Sequence, residues 1–225
     1  PNLTMRCHRN TPPALYEAAY SALATGCGLP GLYNDEAVVP ALERLGIPSH
    51  DAHMYVMNGC NQIDIQGKSH MGLEDGQFTV AKAVEYVLHN GASGRTGAEL
   101  GLKTGDPTEF SSFDEFYAAF IRQLDNIIDV VTDIANTAQR IHAENLAVPL
   151  RSVLIDGCLE KGLEYKNGGP LYGDGQILSE GMPDCVDSLA AIRKFVFDEK
   201  KYTLAEMLNA IRHNWEGYED MRIEA

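Results

Sequence analysis

The chain has 225 residues, enough for one large domain or two small ones, and its 44% hydrophobic and 22% charged residues are typical of a globular protein. Eighteen Lys and Arg against 32 Asp and Glu leave a net charge of −14, which disfavours nucleic acid and anionic membranes as partners. No apolar run approaches the roughly 20 residues that a membrane span needs. Five cysteines, an odd number without a Cys-x-x-Cys pair, indicate reduced thiols and a cytoplasmic location.

The first hundred residues alternate short apolar runs with helical patterns, which predicts an α/β fold. A strand is expected over 3–7, and helices over 13–23 and 35–45, each helix closed by glycine. Farther along, a helix is expected over 80–88 and a polar, glycine-rich loop over 91–107.

The clearest predicted element is a long amphipathic helix. Ser112 and Glu115 form a capping box, and apolar residues recur at three and four until about Asn145, which gives a length of about 50 Å. The remaining predicted elements are a strand at 176–178 and helices over 184–197 and 203–211, the last opened by a capping box of Thr203 and Glu206.

Cys60 follows a predicted junction of strand and turn. Tyr55-Val56-Met57 predicts a strand, Asn58-Gly59 favours a tight turn, and Ile63 and Ile65 resume an alternating pattern. The strand would fix the direction of the sulfur, which makes this cysteine a catalytic candidate, although free cysteines are more often buried structural residues.

The residue types in this region also bear on phosphate binding, metal binding and acid–base chemistry. Gln66-Gly67-Lys68-Ser69 resembles the end of a phosphate-binding loop, but Gln62 occupies the position where that motif needs glycine, so a P-loop is rejected. A zinc-dependent hydrolase stays open as an alternative, with His50, His53, Cys60 and His70 as the candidate ligands. The candidate bases near the cysteine are Asp64, Glu74 and Asp75.

Four groups of segments occur in order over nearly all of the chain: Pro1-Asn2-Leu3-Thr4-Met5-Arg6, Gly28-Leu29-Pro30 with Leu32-Tyr33-Asn34-Asp35, Asn58-Gly59-Cys60, and Asp187-Ser188-Leu189-Ala190-Ala191-Ile192 with Val196-Phe197-Asp198. Together they resemble the pyruvate formate-lyase-like glycyl radical enzymes. The resemblance implies a ten-stranded α/β barrel with long covering helices and a cysteine loop at its centre. Residues 1–225 would be part of this catalytic barrel, without the C-terminal glycyl radical domain, because nothing after Arg222 resembles the radical motif.

The resemblance also assigns roles. Cys60 would carry a thiyl radical that abstracts a hydrogen atom from a small metabolite. Gln62 stands where dehydratases and lyases of the family carry Glu, and because an amide cannot take a proton at neutral pH, we expect Gln62 to orient substrate. Asn61 and Asp64 are expected in the substrate shell. Pyruvate cleavage is disfavoured, since formate acetyltransferases use two adjacent cysteines and Cys60 has none beside it.

By the same resemblance, we expect anaerobic lyase or dehydratase chemistry that breaks a C–C or C–heteroatom bond. The partners would be the remaining polypeptide with its glycyl radical and a separate radical S-adenosylmethionine activating enzyme, and the oligomeric state considered is a homodimer. No cofactor or metal is expected on residues 1–225, which alone would be inactive. A noncatalytic remnant or binding protein of the same fold is the second hypothesis.

Overall fold

The structure is a computed structural model that describes residues 3–58, 62–70, 75–173 and 175–224. Within these residues, α-helices mix with strands that pair two by two, which agrees with the predicted α/β class. In chain order the elements are β1 (Thr4–Cys7), α1 (Pro13–Leu23), β2 (Gly31–Asn34), α2 (Asp35–Arg44), α3 (Ser49–Ala52), β3 (Tyr55–Asn58), β4 (Gln62–Ile65), β5 (Gly76–Thr79), α4 (Ala81–Leu88), α5 (Phe113–Asn145), α6 (Pro149–Ser152), α7 (Cys158–Lys161), β6 (Ile177–Glu180), α8 (Met182–Ala191), α9 (Leu204–Arg212) and α10 (Glu219–Glu224).

The chain divides into two compact units, one formed by residues 1–75 with 136–176 and the other by residues 76–135 with 177–225. In the first unit β1 pairs in parallel with β2, and β3 pairs antiparallel with β4. In the second unit β5 pairs in parallel with β6. The helix α5 contributes residues to both units.

The core of the first unit lies between α2 and the β3–β4 pair. The apolar face of α2 buries Val39 and Leu42, and Tyr55 and Ile65 are buried on the strands. Asn34 caps α2 by accepting a hydrogen bond from the Glu36 N–H at 3.0 Å, which ends β2 and begins the helix.

The core of the second unit is helical. Phe116 and Phe120 on α5 are buried with Val84 on α4 and Leu208 on α9, as the three-and-four spacing of α5 predicts. The loop after α4 is held by Gln123, whose fully buried amide accepts a hydrogen bond from the Leu102 N–H at 2.9 Å and donates one to the Leu102 carbonyl at 2.7 Å. No helix within the described ranges is long and apolar enough to cross a membrane.

Several predicted elements need correction. The strands β2 and β5 and the short helix α3 were not predicted. Segments of four residues, such as Gly76–Thr79, are too short to show a clear hydrophobic pattern. The predicted capping box is half formed: Ser112 Oγ accepts the Glu115 N–H at 3.3 Å, but the Glu115 carboxylate accepts from the N–H and hydroxyl of Ser111, at 2.9 and 3.0 Å, rather than from Ser112. The helix predicted over 184–197 is α8 continued by a π-helix over Ile192–Asp198.

Candidate functional site

The candidate site is built around the β3–β4 hairpin of the first unit. The antiparallel register of the hairpin ends with Asn58 opposite Gln62. Between these two in the sequence come Gly59, Cys60 and Asn61, which lie outside the described residues. The roles expected for Cys60 and Asn61 therefore stay predictions. The residues on either side of this segment, Asn58 and Gln62, are held by strand pairing.

The base of the hairpin is anchored by an ionic network. Arg6 donates two hydrogen bonds to Asp35, at 2.8 and 2.9 Å, and its guanidinium lies 3.9 Å from the ring centre of Tyr55. The buried Tyr55 donates its hydroxyl to Asp35 at 2.5 Å. The Arg6 hydrogen bond lowers the pKa of Asp35, and burial with that carboxylate raises the pKa of Tyr55, so Asp35 stays ionised and Tyr55 neutral.

The outer edge of β4 is bonded by side chains. Alternate residues of an antiparallel strand turn their N–H and C=O groups away from the paired strand. At this edge the Ile65 N–H donates to Ser69 Oγ at 3.0 Å, and the Ile63 carbonyl accepts from Gln176 Nε2 at 2.8 Å. These two side chains therefore bond to backbone groups of β4 that a third strand would otherwise pair with.

Two of the predicted substrate-shell residues lie on β4. Gln62 is buried, with 7% of its surface exposed. An ionised Glu at such a position loses its hydration, whereas a neutral amide avoids that cost. Asp64 is half-buried and hydrogen-bonded to the hydroxyl of Ser69, which is itself buried. The two residues share a strand, and their contact with a substrate stays a prediction.

The residues of the rejected phosphate loop have structural partners. Lys68 Nζ forms an ion pair with the buried Asp51 at 2.7 Å, and the Tyr172 hydroxyl donates to the same carboxylate. Hydrogen bonds from Lys68 and Tyr172 lower the pKa of Asp51. The backbone of Tyr172 also bonds to Lys68 and His70, at 3.0 and 2.7 Å. These bonds hold the segment that follows β4.

The predicted zinc ligands have separate surroundings. His50 is exposed, and His53 Nδ1 lies 2.8 Å from the Ser49 carbonyl. His70 packs edge-on against Tyr165, with 4.5 Å between ring centroids. No group of three His, Cys, Asp or Glu side chains suited to a metal ion occurs among the described residues. The four cysteines within those ranges are free thiols, and only Cys27 of them is exposed.

A polar cavity of about 150 Å³ lies in the same unit. It is lined in part by His70, Asp75, Tyr165 and Lys166. Burial lowers the pKa of His70, which favours the neutral ring at pH 7. Of the three candidate bases, Asp75 reaches this cavity, Asp64 bonds to Ser69, and Glu74 lies outside the described residues.

Ser69 and Gln176 belong to this site and were missed in the sequence. Ser69 stands four residues after Ile65 and two after Gly67, a pattern typical of a serine turn. Gln176 has no local signal, because its partner Ile63 is 113 residues away in the chain.

Comparison with known proteins identifies the family of the chain that contains this hairpin. The pyruvate formate lyase-like family matches residues 1–225. The chain therefore belongs to the pyruvate formate lyase-like family, and its expected α/β fold, part of a glycyl radical enzyme barrel, is confirmed by solved structures that align with nearly all of it.

Two relatives and one solved structure illustrate the likeness. The chain is 34% identical to trans-4-hydroxy-L-proline dehydratase of Clostridioides difficile over 219 residues, covering 97% of this chain and 28% of the dehydratase. It is 34% identical to (2S)-3-sulfopropanediol dehydratase of Klebsiella oxytoca, over 98% of this chain and 27% of that protein. The solved C. difficile hydroxyproline dehydratase aligns with a TM-score of 0.84 at 32% identity, over 98% of this chain and 28% of that one. The chain thus spans less than a third of the relatives it matches.

Proposed function

We propose that this chain is the cysteine-bearing part of a glycyl radical lyase or dehydratase in which Cys60 abstracts a hydrogen atom from substrate. One observation carries the proposal. In a chain of this family, the β3–β4 hairpin fixes both ends of the segment with Cys60, and an ionic network anchors its base. A rigid element is what hydrogen-atom transfer needs, since the sulfur must meet one C–H bond at close range.

The proposed step balances without an external oxidant. The Cys60 thiyl takes a hydrogen atom from a substrate C–H bond, which leaves an S–H group and a carbon radical. The substrate radical then loses its leaving group together with a proton. The S–H group finally returns the hydrogen atom to the product radical and regenerates the thiyl.

The neighbours of Cys60 have assigned parts in this proposal. Gln62 and Asn61 orient the substrate through hydrogen bonds. Because the Gln62 amide takes no proton, a neighbouring carboxylate, Asp64 or Glu74, takes the proton that the substrate radical loses and passes it to the departing leaving group. Asp64 contributes to the substrate shell from β4, where Ser69 holds it.

The substrate class is a small hydroxylated metabolite. Named relatives act on hydroxyproline and sulfopropanediol, and solved relatives on glycerol and 1,2-propanediol. The chain works as part of a longer polypeptide that includes the glycyl radical segment, since it covers about 28% of those relatives. On its own it is inactive and binds no cofactor. A radical S-adenosylmethionine enzyme activates the whole protein in an anaerobic cytoplasm, and the homodimer is the proposed assembly.

The test is Cys60→Ser in the full-length protein after anaerobic activation. We expect turnover of the panel trans-4-hydroxy-L-proline, glycerol, 1,2-propanediol and isethionate to be lost, while the glycyl radical signal in electron paramagnetic resonance stays. Cys27→Ser, at an exposed thiol, is the matched control and keeps turnover. Turnover by Cys60→Ser would overturn the proposal. Failure of the wild-type protein to accept a glycyl radical would favour the noncatalytic protein of the same fold.

A further inference from the structure

The strand that leads away from Cys60 is tethered on its outer edge at Ile63. The Ile63 carbonyl accepts a hydrogen bond from Gln176 Nε2 at 2.8 Å. Ile63 stands three positions after Cys60 in the chain, a span of at most about 10 Å. Among the described residues, this is the outer-edge bond of β4 that lies nearest to the cysteine along the sequence.

The backbone of Gln176 is itself held by hydrogen bonds to Asp75. The Gln176 N–H donates to Asp75 Oδ2 at 2.8 Å, and its carbonyl accepts the Asp75 N–H at 3.1 Å. The residue before it is Gly175, where a Cβ would approach the Gln139 amide nitrogen to 2.9 Å. The backbone at Gln176 is therefore closely confined, so the reach of its side chain fixes the position of Ile63.

We propose that Gln176 is a positioning residue for the reaction of Cys60, because its hydrogen bond to Ile63 restrains β4, the strand that follows Cys60 in the chain. The inference rests on the proposed function of Cys60. An antiparallel hairpin held by one ladder alone can slide and twist, and a tether on the outer edge of β4 removes that freedom. Because a shift of about 1 Å in a reacting atom can cost roughly 100-fold in rate, loss of the tether acts on the chemical step.

The experiment uses the activated full-length protein with Gln176→Met, which keeps the length of the side chain and removes its donor. We expect kcat per glycyl radical to fall about 10-fold to 100-fold, with KM within about threefold of wild type. A structural defect alone would reduce the folded or radical-bearing fraction, and division by the radical content removes that effect. Gln77→Met is the matched control, since Gln77 is an exposed residue of β5 in the second unit, and it keeps kcat per radical.

A second readout needs no substrate. In the unactivated protein, we expect iodoacetamide to alkylate Cys60 several-fold faster in Gln176→Met than in wild type, with the exposed Cys27 as internal reference. Gln176→Glu, which replaces the donor with a carboxylate beside Asp75, is the second variant should the first fail to fold, and it should show the same changes.

The outcomes separate the two proposals. Wild-type kcat per radical together with an unchanged Cys60 alkylation rate in the Gln176 variants would overturn the positioning role, whatever Cys60→Ser shows. Turnover by Cys60→Ser would instead overturn the proposed function.

Discussion

The hairpin region of the first unit adds a polar network to its apolar core, whereas the helical core of the second unit is mainly apolar. Around β3–β4, named polar groups meet at fixed distances, as in the Arg6–Asp35–Tyr55 network and the Gln176–Ile63 bond. Around α5, apolar side chains such as Phe116 fill a shared interior. Hydrogen bonds and ion pairs depend on direction, whereas apolar burial depends mainly on area and volume.

The two kinds of contact therefore have different effects when a side chain is changed. A polar tether restrains one strand in one place, so its loss moves a particular group. An apolar core tolerates small displacements but loses much free energy when a large side chain is removed. We therefore expect variants of the core to change the free energy of unfolding most, and variants of the hairpin to change chemistry more than stability.

The largest expected effect on stability is that of Phe116→Ala. Phe116 is fully buried, so the substitution removes its apolar contacts and leaves a cavity, at a cost of about 3–5 kcal/mol. Urea unfolding followed by circular dichroism measures it. Tyr117→Ala, next to it and 44% exposed, is the control and should cost much less. Equal losses in the two variants would contradict the division between core and surface.

Asp35→Asn should have the next largest effect, about 2 kcal/mol, because it removes the charge that bonds to Arg6 and Tyr55. The folded pKa of Asp35 lies below its unfolded value. The stabilisation is therefore complete above about pH 4 and is lost as the pH falls through the lowered folded pKa. Urea titrations at neutral and acid pH should show the two proteins converging in acid. A constant difference at all pH values would contradict the ionic origin.

Gln62→Glu should shift chemistry with a smaller effect on stability. A carboxyl group at the buried position 62, two residues after Cys60 in the sequence, supplies a proton acceptor, so we expect a changed order of rates across the substrate panel. The melting temperature should move less than in Asp35→Asn. An unchanged substrate order with a large loss of stability would mean that Gln62 is purely structural.

Lys82→Ala is expected to have the smallest effect. Its ion pair with Glu85 joins neighbouring turns of α4 at the surface, where such pairs contribute roughly 0.5 kcal/mol or less. Thermal unfolding with and without 1 M salt should give nearly the same difference from wild type. A loss comparable to that of Asp35→Asn would remove the distinction between surface pairs and the network at the hairpin.

Sequence reasoning succeeded where the signal is local. The strand at Tyr55–Asn58, the helix Phe113–Asn145 and the capping box of Thr203 with Glu206 all follow from short-range patterns, and each is confirmed. The family was recognised from segments spread along the chain. The network of Arg6 and the tether of Gln176 were out of reach, because their partners are distant in sequence and meet only after folding.

The most direct measurement of the proposed chemistry follows one hydrogen atom. A panel substrate that wild type converts is prepared with deuterium on the carbon that loses hydrogen, and the activated protein is allowed to turn it over in ordinary water. If Cys60 shuttles a hydrogen atom, deuterium should reappear on the product carbon that receives it, and the reaction should show a primary isotope effect. The role of Cys60 would be contradicted if the product carried only solvent hydrogen and the deuterated and undeuterated substrates reacted at the same rate.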